Sequence, residues 1–234
     1  MGFRWAIAST AALTFILGAS LPARADLAEE REEAVEELNR SREVFQTIAT
    51  SPETQIPPSL LSSSQAIVII TNMGQGGFIF GGRGGDGLMM MRMTDGTWSN
   101  PIFVTLGGIS FGLQVGRRSS DIVLLVRNSA TIRDILTGDV ELGDDVSSTT
   151  GPVGATVTDA AAASGDILIY SQSAGFFRGG TADGTRIELD GDRNDAFYGF
   201  NNITAYDIIT NPRLQPIASP AALEQTLLSA EAQR

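Results

Sequence analysis

Residues 81–87 read GGRGGDG and contain three glycines with the spacing of a dinucleotide-binding turn. The glycines that fit the pattern G-x-G-x-x-G are Gly82, Gly84 and Gly87. In such a turn a helix follows at once, because the pyrophosphate binds at the helix N-terminus. Here LMMMRM follows, and TDG at residues 94–96 turns the chain again, so no helix fits. The segment therefore predicts a glycine-rich β-hairpin and no nucleotide cofactor.

The stretch DGDRND at residues 190–195 resembles the beginning of a calcium-binding loop. The residues at loop positions one, three and five are Asp190, Asp192 and Asn194. The loop also requires glycine at position six and glutamate at position twelve, where this chain has Asp195 and Asn201. A solvated turn is the simpler interpretation, and a weak calcium site formed by these residues is the alternative.

Several kinds of catalysis are excluded by the residue types that the chain lacks. It contains no histidine, no cysteine and no lysine, so it cannot form a Ser-His-Asp triad, a Cys-His pair or a Schiff base. Paired carboxylates such as Asp144-Asp145 leave one route, a carboxylate-dependent hydrolase, but nothing in the sequence sets their separation. We predict that the protein is not an enzyme and keep the hydrolase as the less favoured alternative.

Arginines are the polar residues with the most informative positions, because they lie in or beside the glycine-rich segments. They are Arg83, Arg92, Arg117, Arg118 and Arg178. Arginine next to apolar side chains suits an anionic lipid headgroup and its acyl chains. The lipid-binding residues that we predict, at one end of a sheet, are Arg83, Arg117, Arg118, Arg178, Phe78, Phe80, Phe111, Phe176 and Phe177. The alternative is that the rings belong to the core and the arginines are scattered surface charges.

The elements that must position these residues follow from hydrophobic periodicity. Residues 26–50 carry apolar side chains at three- and four-residue steps beside a strongly acidic face, which predicts an amphipathic helix. Residues 66–200 alternate short apolar runs with glycine-rich turns, which is typical of β-strands. Within this region, NSATIRDIL predicts a short helix capped by Asn128 or Ser129. Residues 201–234 form a helical tail, whose last helix begins at Ser219-Pro220 with serine as its N-cap.

These patterns predict one α+β domain over residues 26–234. Its core is a predominantly antiparallel, glycine-rich sheet, curled or barrel-like, with an N-terminal amphipathic helix and short C-terminal helices.

Residues 1–25 combine Arg4, an apolar run and the sequence Ala23-Arg24-Ala25, which predicts a signal peptide cleaved near Ala25. We therefore expect a periplasmic or secreted protein; a retained membrane anchor is the alternative. The formal net charge of −11 disfavours nucleic acid as a partner.

Four segments resemble, in order and spacing, the SYLF lipid-binding domain family, whose yeast actin-patch relatives are called actin-binding. The segments are WSNPIFVTLGGISFGLQVGRRSSDIVLLVRN, LGDDVSSTTGPVGATVT, ILIYSQSAGFFRGGTADGT and NDAFYG. The resemblance runs from about Leu27 to the C-terminal helix. It implies a single lipid-binding module without catalytic activity. Eukaryotic members bind phosphoinositides largely through a basic N-terminal helix, whereas the corresponding helix here is acidic.

The residues and the resemblance together predict an exported, non-catalytic module that binds lipid or a membrane surface and needs no cofactor. The ligand that we expect is a phospholipid or a phosphoinositide-like headgroup. A structural or protein-interaction domain of the cell envelope is the alternative.

Overall fold

A computed structural model of the chain describes residues 21–74, 83–108, 119–138, 140–142, 147–151, 165–171 and 185–233. The helices of these residues are α1 (Leu21–Thr50), α2 (Pro58–Ser63), α3 (Ser129–Thr137), α4 (Gly191–Tyr198), α5 (Ala205–Thr210) and α6 (Ala221–Glu231). The strands are β1 (Ala66–Gly74), β2 (Arg83–Met91), β3 (Ile102–Gly108), β4 (Ser119–Val126), β5 (Val140–Leu142), β6 (Ser148–Thr150), β7 (Ile167–Ser171) and β8 (Thr185–Leu189).

The described strands form one eight-stranded sheet in the order β5-β8-β3-β2-β1-β4-β7-β6. Neighbouring strands pair antiparallel, except that β6 runs parallel to β7. The sheet curls into a nearly closed, barrel-like core, and α1 packs across β1, β2 and β4. The predicted α+β fold is therefore confirmed.

The central strands are buried on both faces. Five consecutive side chains of β1, at residues 66–70, have no exposed surface, and residues 122–126 of the neighbouring β4 are at most 1% exposed. Successive side chains of a strand point to opposite faces, so one set packs inside the curled sheet and the other packs outward against covering elements. Each fully buried Val, Leu or Ile side chain contributes about 1.5–3 kcal/mol. This two-sided burial explains why AIVIIT and DIVLLV are continuous apolar runs.

Helix α1 begins at Leu21, five residues before the predicted start at Asp26, and thus runs across the predicted cleavage position. Its buried stripe includes Ala34, Leu38, Phe45 and Ile48, whose spacing follows the predicted helical period. None of the helices that the structure describes is long and apolar enough to cross a bilayer.

The ends of α3 agree with the prediction, whereas α6 begins later than expected. Asn128 caps α3 by accepting a hydrogen bond from the Thr131 amide at 2.8 Å, and Gly138 closes the helix in the left-handed conformation. In α6, Pro220 is the N-cap residue rather than the first helical residue, so the prediction of Ser219 as N-cap is wrong by one position. The Ser219 hydroxyl still accepts a hydrogen bond from the Ala221 amide, at 3.3 Å.

The short helix α4 and the three-residue strand β5 were not predicted. The sequence of α4, GDRNDAFY, is poor in strong helix formers and reads as a turn. It is helical because Asp190 caps its first turn, accepting from the Arg193 amide at 3.0 Å, and because Phe197 and Tyr198 are buried. Tertiary burial therefore overrides the weak local preference.

Candidate functional site

The ends of several neighbouring strands lie together at one end of the sheet, which we call the glycine-rich end. The register pairs Gly74 with Ser119, Arg83 with Gly108, and Gly108 with Thr185, and Ser171 pairs with Ile122 near the start of β4. The chain leaves the described sheet and returns to it at this end through residues 75–82, 109–118 and 172–184. The three segments that carry the predicted lipid-binding residues are therefore connected to neighbouring strand ends.

Arg83 is the first residue of β2, and its backbone pairs with Gly108. The other predicted lipid-binding residues lie outside the described part of the chain. They are Arg117, Arg118, Arg178, Phe78, Phe80, Phe111, Phe176 and Phe177.

Gly84 and Gly87 of the G-x-G-x-x-G pattern lie within strand β2, not at the entrance to a helix. A Cβ atom on Gly87 would lie 2.1 Å from the Ile69 carbonyl oxygen and 2.7 Å from Ile70 Cδ1. Only glycine leaves room for β1 to pack this closely. The prediction of β structure here is confirmed, and the glycine at this position serves strand packing.

A buried carboxylate lies under α1, where this helix crosses β1. Glu37 is 4% exposed, and its carboxylate accepts hydrogen bonds from Thr71 Oγ1 at 2.8 and 3.0 Å and from Ser41 Oγ at 3.0 Å. Burial raises the pKa of Glu37 above its usual value, although the two hydroxyl donors act in the opposite direction. These contacts form a polar seam between the helix and the sheet.

Arg193 of α4 joins the same seam through three ion pairs. Its guanidinium lies 3.1 Å from Asp190, 3.2 Å from Glu33 of α1 and 3.4 Å from Asp86 of β2. Asp86 is the acid of the GGRGGDG stretch, so this residue of the glycine-rich segment has a structural partner. A cavity of about 240 Å³ lies beside these groups, bordered also by Glu37 and Arg40.

The residues of the candidate calcium loop lie at the start of α4. Asp190 is the N-cap residue, and Asp192 lies in the first turn. Asn194 is buried and fixes β3 to α4: its side-chain amide donates to the Phe103 carbonyl at 2.9 Å and accepts from the Phe103 amide at 2.9 Å. Asp190 and Asn194 thus make helix-terminal and strand contacts, and no group of three or more acidic side chains among the described residues is arranged to hold a metal ion.

Arg92 follows the end of β2 that lies opposite the glycine-rich end, and its side chain makes several hydrogen bonds. It donates two hydrogen bonds to the Glu231 carboxylate, at 2.7 and 3.2 Å, and three to backbone carbonyls, at 3.0–3.3 Å. Trp98 Nε1 donates to the same carboxylate at 3.1 Å, and the guanidinium lies 4.2 Å from the centre of the Trp98 ring. Arg92 therefore ties α6 to β2 and the following hairpin.

An apolar groove of about 510 Å³ lies near Arg92, between α3 and the end of β2. Its apolar lining comes from Met91, Met93, Ile132 and Leu136, and Arg133 stands at its edge. The register pairs Met91 with Ala66, at the start of β1, so the groove is at the end of the sheet opposite the glycine-rich end. We call it the α3 groove.

The motifs that carry the family resemblance contact one another. In WSNP and NDAFYG, the Tyr198 hydroxyl donates to the Pro101 carbonyl at 2.6 Å. In TGPVG and ILIYSQS, Gly151 lies against the Tyr170 ring so closely that a Cβ would be 2.2 Å from Tyr170 Cζ. These described motif residues therefore specify the fold.

The fold and these contacts define a β-rich α+β domain in which the described charged groups hold helices onto a sheet. The chain belongs to the Ysc84 family: residues 107–230 match the family model described as Las17-binding protein actin regulator.

Relatives from fungi and animals match beyond those residues. The chain is 33% identical to the SH3 domain-containing protein PJ696.02 of Schizosaccharomyces pombe over 169 residues, covering 70% of this chain and 39% of that protein. It is 33% identical to Protein YSC84 of Saccharomyces cerevisiae over 170 residues, covering 70% and 36% respectively. It is 26% identical to the human SH3 domain-containing YSC84-like protein 1 over 198 residues, covering 83% and 57%. The chain thus spans only part of each of these relatives.

Sequence reasoning did not identify the polar seam or the α3 groove. One signal for the seam was present, since Glu37 is an acid within the apolar stripe formed by Ala34 and Leu38. The α3 groove had no local signal, because it joins the end of β2 to a helix about 40 residues further along the chain.

Proposed function

We propose that this chain is a non-catalytic lipid-binding domain whose ligand site lies at the glycine-rich end. The residues assigned to the site are Arg83, Arg117, Arg118, Arg178, Phe78, Phe80, Phe111, Phe176 and Phe177. The arginines would bind an anionic headgroup, and the phenylalanine rings would contact the acyl chains.

The observation that carries this proposal is the register at the glycine-rich end. Gly74, Arg83, Gly108, Ser119 and Thr185 are neighbouring strand ends, and the segments with the arginines and phenylalanines start or finish at them. The segments that carry arginines distant in sequence therefore start or finish at neighbouring strand ends. In a protein with a net charge of −11, binding to an anionic lipid requires a local cluster of arginines.

The described charged residues have structural roles. Arg92 and Arg193 form structural ion pairs, and Glu37 accepts hydrogen bonds from two hydroxyls beneath α1. Each of these groups joins a helix to the sheet. The family to which the chain belongs is described as Las17-binding protein actin regulator, a description that names binding.

Vesicle flotation tests lipid binding directly. We expect the protein to float with vesicles that contain phosphatidylserine, and to float less with phosphatidylcholine alone, because arginine favours an anionic surface. Failure to float with either composition, together with no lipid retained in native mass spectrometry, would contradict the proposal.

We also propose that the protein is exported and that residues 1–25 are removed. The apolar run after Arg4 and the sequence Ala23-Arg24-Ala25 support this proposal. N-terminal sequencing of the protein recovered from its source cells should give Asp26 as the first residue. Recovery of the chain with residues 1–25 still attached would contradict cleavage.

A protein-binding role is the second candidate, and the names of the relatives favour it. The family is described as Las17-binding, and LAS seventeen-binding protein 3 of Saccharomyces cerevisiae is 34% identical over 166 residues. Because the chain covers 36% of that relative, the named interaction can belong to either part of it. Crosslinking in the source cells distinguishes the two candidates: a stoichiometric protein partner and no bound lipid would favour protein binding.

A further inference from the structure

The α3 groove has an apolar floor, and one of the two arginines that line it is exposed. Met91 and Leu136 are partly buried, and Ile132 is almost fully buried. Arg133 is exposed, and its side chain makes no hydrogen bond or ion pair with any described residue. Arg92, which also lines the groove, is paired with Glu231. Of the two arginines that line the groove, Arg133 is therefore the one available to a partner.

We propose that the α3 groove docks a short acidic amphipathic helix of a partner protein. Ser129, Ile132, Arg133 and Leu136 line the groove from α3 at helical positions i, i+3, i+4 and i+7, so they share one face of the helix. A partner helix placed along this face would bury its apolar residues against Leu136, Met91 and Met93. Methionine suits such a surface because its unbranched, polarisable side chain adapts to different shapes.

The open shape of the groove favours a helix over a lipid chain. The volume of about 510 Å³ is large enough for a small ligand, but the depression is open to solvent. An acyl chain lying there would keep much of its apolar surface in water. An amphipathic helix buries only its apolar face and exposes its own polar face, which matches an open groove.

The charges determine which helix fits. Arg133 selects a carboxylate beside the apolar residues of the partner, and this contact fixes the orientation of the helix more than it adds affinity. The apolar contacts must supply most of the binding energy, because the net charge of −11 opposes an acidic partner at long range. The inference is independent of lipid binding, since the groove and the glycine-rich end lie at opposite ends of β2.

Two methionine methyl groups in the groove allow docking to be observed in the full chain. The probe is a synthetic helical peptide of about 16 residues with leucines on one face and a glutamate beside them. In spectra of methyl-labelled methionine, we expect saturable shifts at Met91 and Met93. The buried Met89 and Met90 serve as internal controls and should move little. No saturable shift at Met91 and Met93 would overturn the proposal.

Two variants and one control test the groove further. Leu136→Asp should weaken peptide binding about tenfold by placing a charge among the apolar contacts. Arg133→Glu should weaken binding of the glutamate peptide, and a peptide with lysine in place of that glutamate should bind this variant better. This exchange remains informative if Leu136→Asp does not fold.

Arg213→Glu, at an exposed arginine outside the groove, should not change the affinity. Equal affinity of both peptides for Arg133→Glu would contradict the docking geometry. Unchanged flotation of Leu136→Asp with phosphatidylserine vesicles would show that lipid binding does not use the groove.

Discussion

At the scale of single residues, the charged side chains that could have taken part in chemistry instead join the elements of the described structure. Arg92 joins α6 to β2, Arg193 joins α4 to α1 and β2, and Glu37 joins α1 to β1. Each is buried or half-buried and contacts groups distant in sequence. The sequence could identify these residues as polar and unusual, but not their partners, because every one of these contacts crosses between elements.

Glu37 gives α1 a pH-dependent contribution to stability. Its pKa is raised by burial, so the folded protein holds this proton more tightly than the unfolded chain does. The contribution of Glu37 to the free energy of unfolding is fully present below the pKa of this side chain in the unfolded chain. It decreases as the pH rises from that pKa through the higher pKa of the folded protein. Glu37→Gln should remove this part of the pH dependence and make the protein more stable at neutral pH, as measured by melting temperature across a pH series.

An exposed acid on the same helix provides the control. Glu43→Gln should leave the pH dependence of the melting temperature as it is in the unaltered protein. If Glu37→Gln kept the original dependence, the buried carboxylate would not be the titrating group.

At the scale of elements, the pairing of β1 with β2 depends on Gly87. Gly87→Ala would place a methyl group 2.1 Å from the Ile69 carbonyl oxygen, and a backbone atom cannot move aside without disturbing the sheet. We expect a loss of about 3 kcal/mol in the free energy of unfolding, measured by urea denaturation.

Gly191 provides a matched alanine substitution at a position with free space. A Cβ on Gly191 would meet no atom within 4 Å, so Gly191→Ala should change the stability by less than about 1 kcal/mol. Similar effects of the two substitutions would show that β1 and β2 are not as close as the structure indicates.

The elements that the sequence predicts well are those whose signals are local. The apolar runs of β1 and β4, the stripe of α1 and the Asn128 cap of α3 all appear where periodicity and capping rules place them. Helix α4 was missed because burial of Phe197 and Tyr198 decides its conformation. The α3 groove was missed because it forms between β2 and α3, which are distant in sequence.

At the scale of the whole molecule, the sheet separates the glycine-rich end from the α3 groove. The nine residues of β2 span about 25 Å between the glycine-rich end and the α3 groove. The motifs shared with the family contact one another within the described structure, as Tyr198 does with Pro101, and so they maintain the barrel-like core. The strand register could be inferred only in part from sequence, yet it is this register that joins the predicted arginine segments to one end.

The proposed lipid site at the glycine-rich end depends most directly on its arginines. The decisive measurement is flotation of the double variant Arg117→Ala, Arg118→Ala with phosphatidylserine vesicles, compared with Arg213→Ala as the control. Each arginine near an anionic surface contributes about 1 kcal/mol, so the double variant should bind about thirtyfold more weakly at an unchanged melting temperature. The control should bind like the unaltered protein. Equal binding by the double variant and the unaltered protein would contradict a lipid site at the glycine-rich end.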